Sequence, residues 1–330
     1  MPLDTLPRSR APGRCLGAVL GAAAVAWVLL ASACSPGADE EGSIRRGDEA
    51  FALGKYDQAL AEYRLAVRQG ADDAEALARV AHTYAVLERV DDAGAFYGQA
   101  LALDPSLVDQ AVADLMRMAE SAHARRDRFA MASAVEIAGR LRPGIGVSSM
   151  SLDLARHYFQ SGEYGRALPF FEKALAEVPD SATAQTVFEV GQAYEEIGDC
   201  QRALVFFERY LAMGVGGDAT QVNWHIGSCG FKLAREIRSG TDVPPEDLDR
   251  ALRMVERTLE LGEPRSLLAQ AWFEKGLILS DLGDCSGAME ALSQVESAEN
   301  SAGLVDRARA IFDEIRFGRG LEFLRGGRCR

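Results

Sequence analysis

Proline is scarce in this chain, 11 in 330 residues, and no segment is compositionally biased, so a low-complexity protein is excluded. No stretch of useful length alternates apolar and polar residues with a period of two, which leaves little room for sheet. No Cys-x-x-Cys spacing is present, and no Lys-Ser/Thr follows the glycine-rich run at Gly214, Gly216 and Gly217, which therefore reads as a helix stop rather than a phosphate-binding loop. Basic side chains are the minority, 36 against 49 acidic ones. A surface of that sign repels phosphates and anionic headgroups, so neither nucleic acid nor a lipid surface is expected as a partner of the folded part. No nucleophile with an adjacent base and no carboxylate pair in apolar surroundings emerges, and acidic pairs such as Glu195 and Glu196 sit at exposed helical offsets. An enzyme, a cofactor, a metal site or a small-molecule substrate is not expected.

Long apolar runs are also rare. The only one spans Leu16 to Leu30, after Arg8, Arg10 and Arg14, and ends in Ala31, Ser32, Ala33 and Cys34. A basic start, an apolar middle and small residues before a cysteine resemble a bacterial lipoprotein signal. The resemblance implies cleavage before Cys34, acylation of that cysteine (palmitate among the chains) and, with Ser35 rather than Asp after it, an outer-membrane anchor facing the periplasm. A simple secretion signal or an uncleaved anchor are the alternatives. Each of these places the rest of the chain outside the cytoplasm. Removing residues 1–33 takes away three arginines and one aspartate, so the remainder carries 33 basic and 48 acidic groups, near −15. Residues 34–43 read as a flexible tether, and 318–330, with Arg319, Arg325, Arg328 and Arg330, as a basic tail.

What is abundant is a recurring pattern. Gly191, Ala193 and Tyr194 are followed by Gly198 and Asp199, then by Ala203 and Phe207; Ala81, Tyr84, Ala93, Tyr97, Ala100 and Pro105 keep the same offsets. The pattern returns with Gly47, Gly54, Tyr56, Ala59, Tyr63 and Ala66, with Ala155, Tyr158, Gly162, Tyr164, Ala167, Phe171 and Pro179, and with Trp272, Gly276, Gly283, Asp284, Ala288 and Leu292. Such self-similarity resembles the tetratricopeptide repeat, in which small residues let two helices approach and large ones fill the gap. Seven units can be laid out, at about 40–73, 74–107, 112–143, 148–181, 184–217, 220–262 and 269–302, with a capping helix near 303–316. The third is degenerate, its turn formed by Arg125, Arg126, Asp127 and Arg128. The sixth has an enlarged loop, and Pro245 there suits a first helical turn. The resemblance implies an all-α, right-handed solenoid over 44–317.

Cys15 falls in the signal segment and Cys34 takes lipid, leaving Cys200, Cys229, Cys285 and Cys329. An even number in an oxidising compartment permits disulfides. In the repeat register Cys200 opens one helix beside the one that carries Cys229, and Cys285 occupies the equivalent place one unit later. The pairs implied are Cys200–Cys229 and Cys285–Cys329; buried free thiols, or a metal held by His225, Cys229 and Cys200, are the alternatives.

Repeats of this kind bind proteins or peptides on the face formed by the first helix of each hairpin. Along that face stand Phe159, Phe188, Trp224, Phe231 and Phe273, flanked by Glu189, Glu195, Glu196, Glu274 and Asp281. They form either a groove for a peptide with apolar anchors and basic flanks or packing between hairpins. The positions used elsewhere to clamp a peptide C-terminus hold Ala78, His82, Leu152, Arg156, Phe188 and Gln192, which does not fit such a clamp. The reading is a lipid-anchored envelope scaffold for proteins or peptides. The alternatives are a subunit activating a peptidoglycan synthase or hydrolase, or an outer-membrane or pilus assembly factor.

Overall fold

The computed structural model describes residues 36–177, 184–214, 219–298, 302–317 and Cys329. The signal segment, Cys34 and residues 318–328 and 330 of the tail lie outside these. All regular structure among the described residues is helical, and the chain divides into two compact units, one through Leu107 and one from Val108. The first contains α1 (Pro36–Ala52), α2 (Tyr56–Gln69), α3 (Ala74–Val86) and α4 (Val90–Leu103). The second contains α5 (Val108–Ala124), α6 (Arg128–Leu141), α7 (Ser151–Gln160), α8 (Tyr164–Glu177), α9 (Ala184–Glu196) and α10 (Cys200–Ala212). It continues with α11 (Thr220–Arg238), α12 (Pro245–Leu261), α13 (Leu268–Leu282), α14 (Cys285–Ala298) and α15 (Ala302–Phe317). Within each unit consecutive helices pack as hairpins, and each hairpin packs on the next: this is the all-α solenoid class. None of the described helices is long and apolar enough to cross a membrane.

Helix α1 begins at Pro36, inside the stretch expected to be a tether. Proline suits a first helical turn, where its missing N–H costs nothing, and Glu40 and Glu41 place negative charge near the positive end of the helix dipole.

Local chemistry sets the hairpins. Gly54, Gly162, Gly198 and Gly283 take the left-handed conformation at the turns, with φ between 71° and 85°. Asp73, Asp127, Asp199 and Asp284 then start the following helices, each carboxylate accepting a hydrogen bond from a backbone N–H three residues on. A Cβ on Gly47, Gly191 or Gly276 would stand 2.5, 2.6 or 2.7 Å from Tyr63, Phe207 or Leu292, so each glycine receives the large residue of its own second helix. Gly227 is tighter: a Cβ there would meet the backbone oxygen of Glu263 at 1.9 Å.

A second regularity crosses three of the hairpins. Tyr84, Tyr158 and Tyr194 pack against Phe96, Phe170 and Phe206, with ring centroids 5.5–5.6 Å apart, and Arg89, Arg166 and Arg202 lie over the same tyrosine rings at 4.7, 4.2 and 5.5 Å. Burial pushes the Tyr158 and Tyr194 hydroxyls above the ordinary phenol range, and the Tyr194 hydroxyl also donates to Glu172. At the C-terminal end of the described helices, α15 lays Leu304, Ile311, Phe312 and Ile315 against the core of Phe273, Leu277, Leu292 and Val295, as the expected cap does.

Candidate interaction surface

The first helices of four successive hairpins, α7, α9, α11 and α13, carry the residues singled out above. Their aromatic side chains are not equivalent. Phe188 is buried against Phe207, Tyr210 and His225, with centroids 5.2–5.6 Å apart. Phe231 is buried among Leu248, Ala251, Val255 and Ile278 on α12 and α13. Phe273 is buried in the core that α15 covers, with Arg307 over its ring at 4.9 Å. Phe159 is half-buried, edge-on to Tyr164 and Phe171. Trp224 alone of the five is 45% exposed. A phenyl ring at these positions reaches the second helix of its own hairpin or the next hairpin. The larger indole of Trp224 instead stands perpendicular on His225, 5.1 Å away, and keeps half its surface in solvent.

The carboxylates are also largely committed. Arg156 on α7 donates to Glu189 on α9 at 3.0 Å and to the Thr186 hydroxyl at 3.4 Å. Glu195 on α9 lies 2.6 Å from His225 Nδ1 and 3.8 Å from Lys232 Nζ, both on α11. Arg238 at the end of α11 donates twice to Glu274 on α13, with Asp281 4.0 Å away. Each pair links one first helix to the next across 30 to 36 residues of sequence. Glu274 is only 4% exposed, so without Arg238 its charge would be buried unpaired, at a cost of several kcal/mol (about 3–5). The expected acidic rim is therefore a ladder of compensated charges with Glu196 exposed beside it. Sequence reading missed the ladder; its trace was opposite charges one repeat apart on successive first helices.

The cysteines come together as two disulfides. Cys200 at the start of α10 pairs with Cys229 in α11, their Cα atoms 5.0 Å apart, and Cys285 at the start of α14 pairs with Cys329 at 5.5 Å. The Cys329 N–H also donates to the Ser280 carbonyl of α13 at 3.1 Å, which fastens this end of the chain to the last hairpin. Cys229 of the first bond stands one turn beyond His225 on α11. His225 Nδ1 faces Glu195 rather than the sulfurs, and among the described residues no His/Cys/Asp/Glu group could hold a metal ion.

Comparison with known proteins agrees with this architecture. Family models described as tetratricopeptide repeat match residues 44–108 and 146–214. The chain carries tetratricopeptide repeats, and repeats of this class bind peptides and proteins. No curated protein matches it. Among solved structures, the C-terminal part of a repeat-containing protein from Cytophaga hutchinsonii is 15% identical, covering 80% of this chain and 98% of that one at a TM-score of 0.36. YrrB, titled a TPR protein with an unusual peptide-binding site, is 20% identical over 75% of this chain and 97% of its own, at 0.31. PilW, titled a widely conserved type IV pilus biogenesis factor, is 15% identical over 82% and 98%, at 0.30.

Proposed function

We propose that the protein is a non-catalytic, lipid-anchored scaffold of the bacterial cell envelope that holds a partner protein or peptide on the first-helix face of α9, α11 and α13. The observation that carries the binding reading is Trp224. It is a large aromatic left half in water on a face whose neighbouring aromatics are buried, and it is braced by a ring that Glu195 holds in place. An indole fixed in this way offers contact area at little further entropic cost, the usual make-up of a binding hot spot. Because the adjacent carboxylates are already paired, affinity comes from apolar contact with the indole, and exposed Glu196 and Lys232 select the flanking charges. The anchor reading is supported by the sequence around Cys34, and two disulfides suit an oxidising compartment outside the cytoplasm.

Trp224→Ala tests the site. Recovery of partners from envelope extract by the full chain should fall about tenfold, as for loss of a hot-spot aromatic, with the melting temperature unchanged. Phe273→Ala should instead lower the melting temperature, because that ring lies in the core. Undiminished recovery with Trp224→Ala would remove this surface from the proposal.

A further inference from the structure

The degenerate third hairpin carries a feature that repeat geometry does not require. Its turn places Arg126 at φ 60°, in the region that Gly54, Gly162, Gly198 and Gly283 occupy in four other hairpins. A side chain is strained there, because its Cβ crowds the backbone. Glu88 does the same in the second hairpin with φ 59°, so the conformation alone assigns nothing. What sets Arg126 apart is the cleft beside it. A cavity of about 290 Å³ is lined by His123 from the end of α5, Arg126 and Arg128 from the turn, Met131 of α6 and Asp153 of α7.

The polar groups of this cleft are only partly matched. Asp153 lies 3.7 Å from Arg128 and 3.1 Å from His123 Nδ1, its carboxylate being the charged group nearest that nitrogen. His123 Nδ1 is buried and has no hydrogen-bond partner among the described residues. Arg128 gives one further hydrogen bond, to Gln160 at 3.2 Å. The Arg126 backbone N–H donates to the His123 carbonyl at 2.9 Å, whereas its guanidinium has no ion-pair or hydrogen-bond partner among the described residues. Two guanidinium groups against one carboxylate leave the cleft positive in a chain whose net charge is −13. Buried polar nitrogens without partners are uncommon in folded proteins, and each calls for a ligand or a reason.

We propose that this cleft binds a phosphoryl group. Arg126 supplies the unpaired guanidinium, Arg128 shares its fork between Asp153 and the ligand, and His123, protonated on Nδ1, donates a third hydrogen bond. Donors from three directions match the several oxygens of a phosphoryl group better than the two of a carboxylate. The volume leaves room for the carbon atoms to which the phosphate is esterified. Asp153 holds Arg128 and keeps the cleft from carrying two uncompensated positive charges.

The test is calorimetric titration of the full chain with three probes: inorganic phosphate, glycerol 3-phosphate and glycerophosphoglycerol. Arg126→Gly is the decisive variant, because glycine relieves the turn while it removes the guanidinium. The expected result is binding of at least one probe, weakened about tenfold or more by Arg126→Gly, with a melting temperature equal to or above that of the wild type. Preference for the diester identifies a phospholipid headgroup as the source. Preference for either of the other two identifies a soluble phosphate or monoester. Absence of heat with all three probes at tens of millimolar, or equal binding by Arg126→Gly, overturns the proposal.

Discussion

Glycine and aromatic residues do most of the specifying in this chain, and they do it in pairs. Gly47 with Tyr63, Gly191 with Phe207 and Gly276 with Leu292 are the same steric statement three times, a missing Cβ filled by a ring or branched chain from the second helix. These pairs were legible because the offsets repeat along the sequence and the residue types are extreme. Gly227 holds the corresponding place on α11, yet its neighbour is the Glu263 carbonyl, with the Thr258 hydroxyl donating to the Gly227 carbonyl at 3.1 Å. Backbone cannot swing aside as a side chain can. Gly227→Ala should therefore destabilise the second unit by about 2–4 kcal/mol, whereas Gly98→Ala, in open space on α4, should be neutral or slightly stabilising. Chemical denaturation of the two variants compares them directly, and equal midpoints would contradict the close approach.

At the scale of helices, the sequence announced hairpins, turns and caps, including Pro245 at the start of α12 and the covering helix α15. It also announced the repeat positions of Cys200, Cys229 and Cys285, and the Cys200–Cys229 pair follows from one helix lying beside the next, whereas Cys329 stands outside the described helices. It did not announce the contacts that depend on rotamers across hairpins: Arg156 with Glu189, Glu195 with His225, Arg238 with Glu274. Nor did it separate Trp224 from Phe188, Phe231 and Phe273, since all four are aromatic residues on equivalent helices and only packing decides which stay in water. The disulfides close chain separations of 29 and 44 residues, each contributing roughly 3–4 kcal/mol by loop-closure entropy. Both lie in the second unit. Hydrogen exchange under reductant should therefore show lost protection in α9 to α14 and none in α1 to α4; equal loss in both units would contradict a local role for these bonds.

For the molecule as a whole, the physical character is that of an acidic display surface. Helical hairpins bury their Gly/Ala seams, tyrosines are held between phenylalanine and arginine, and first-helix charges are compensated from one hairpin to the next. Those are the properties of a rigid support, and they accord with the proposed scaffold, whose specificity rests on a few exposed groups. The proposed place of such a support in the cell rests on Cys34 and the disulfides taken together. Acyl chains on Cys34, as proposed, would fix it to a membrane, and oxidised sulfurs suit a compartment outside the cytoplasm. The most direct test is the intact mass of the full chain extracted from membranes, measured with and without reductant followed by alkylation. The account predicts a mature N-terminus at Cys34 carrying acyl mass, with Cys200, Cys229, Cys285 and Cys329 alkylated only after reduction. An unprocessed chain with four freely alkylated thiols would contradict it.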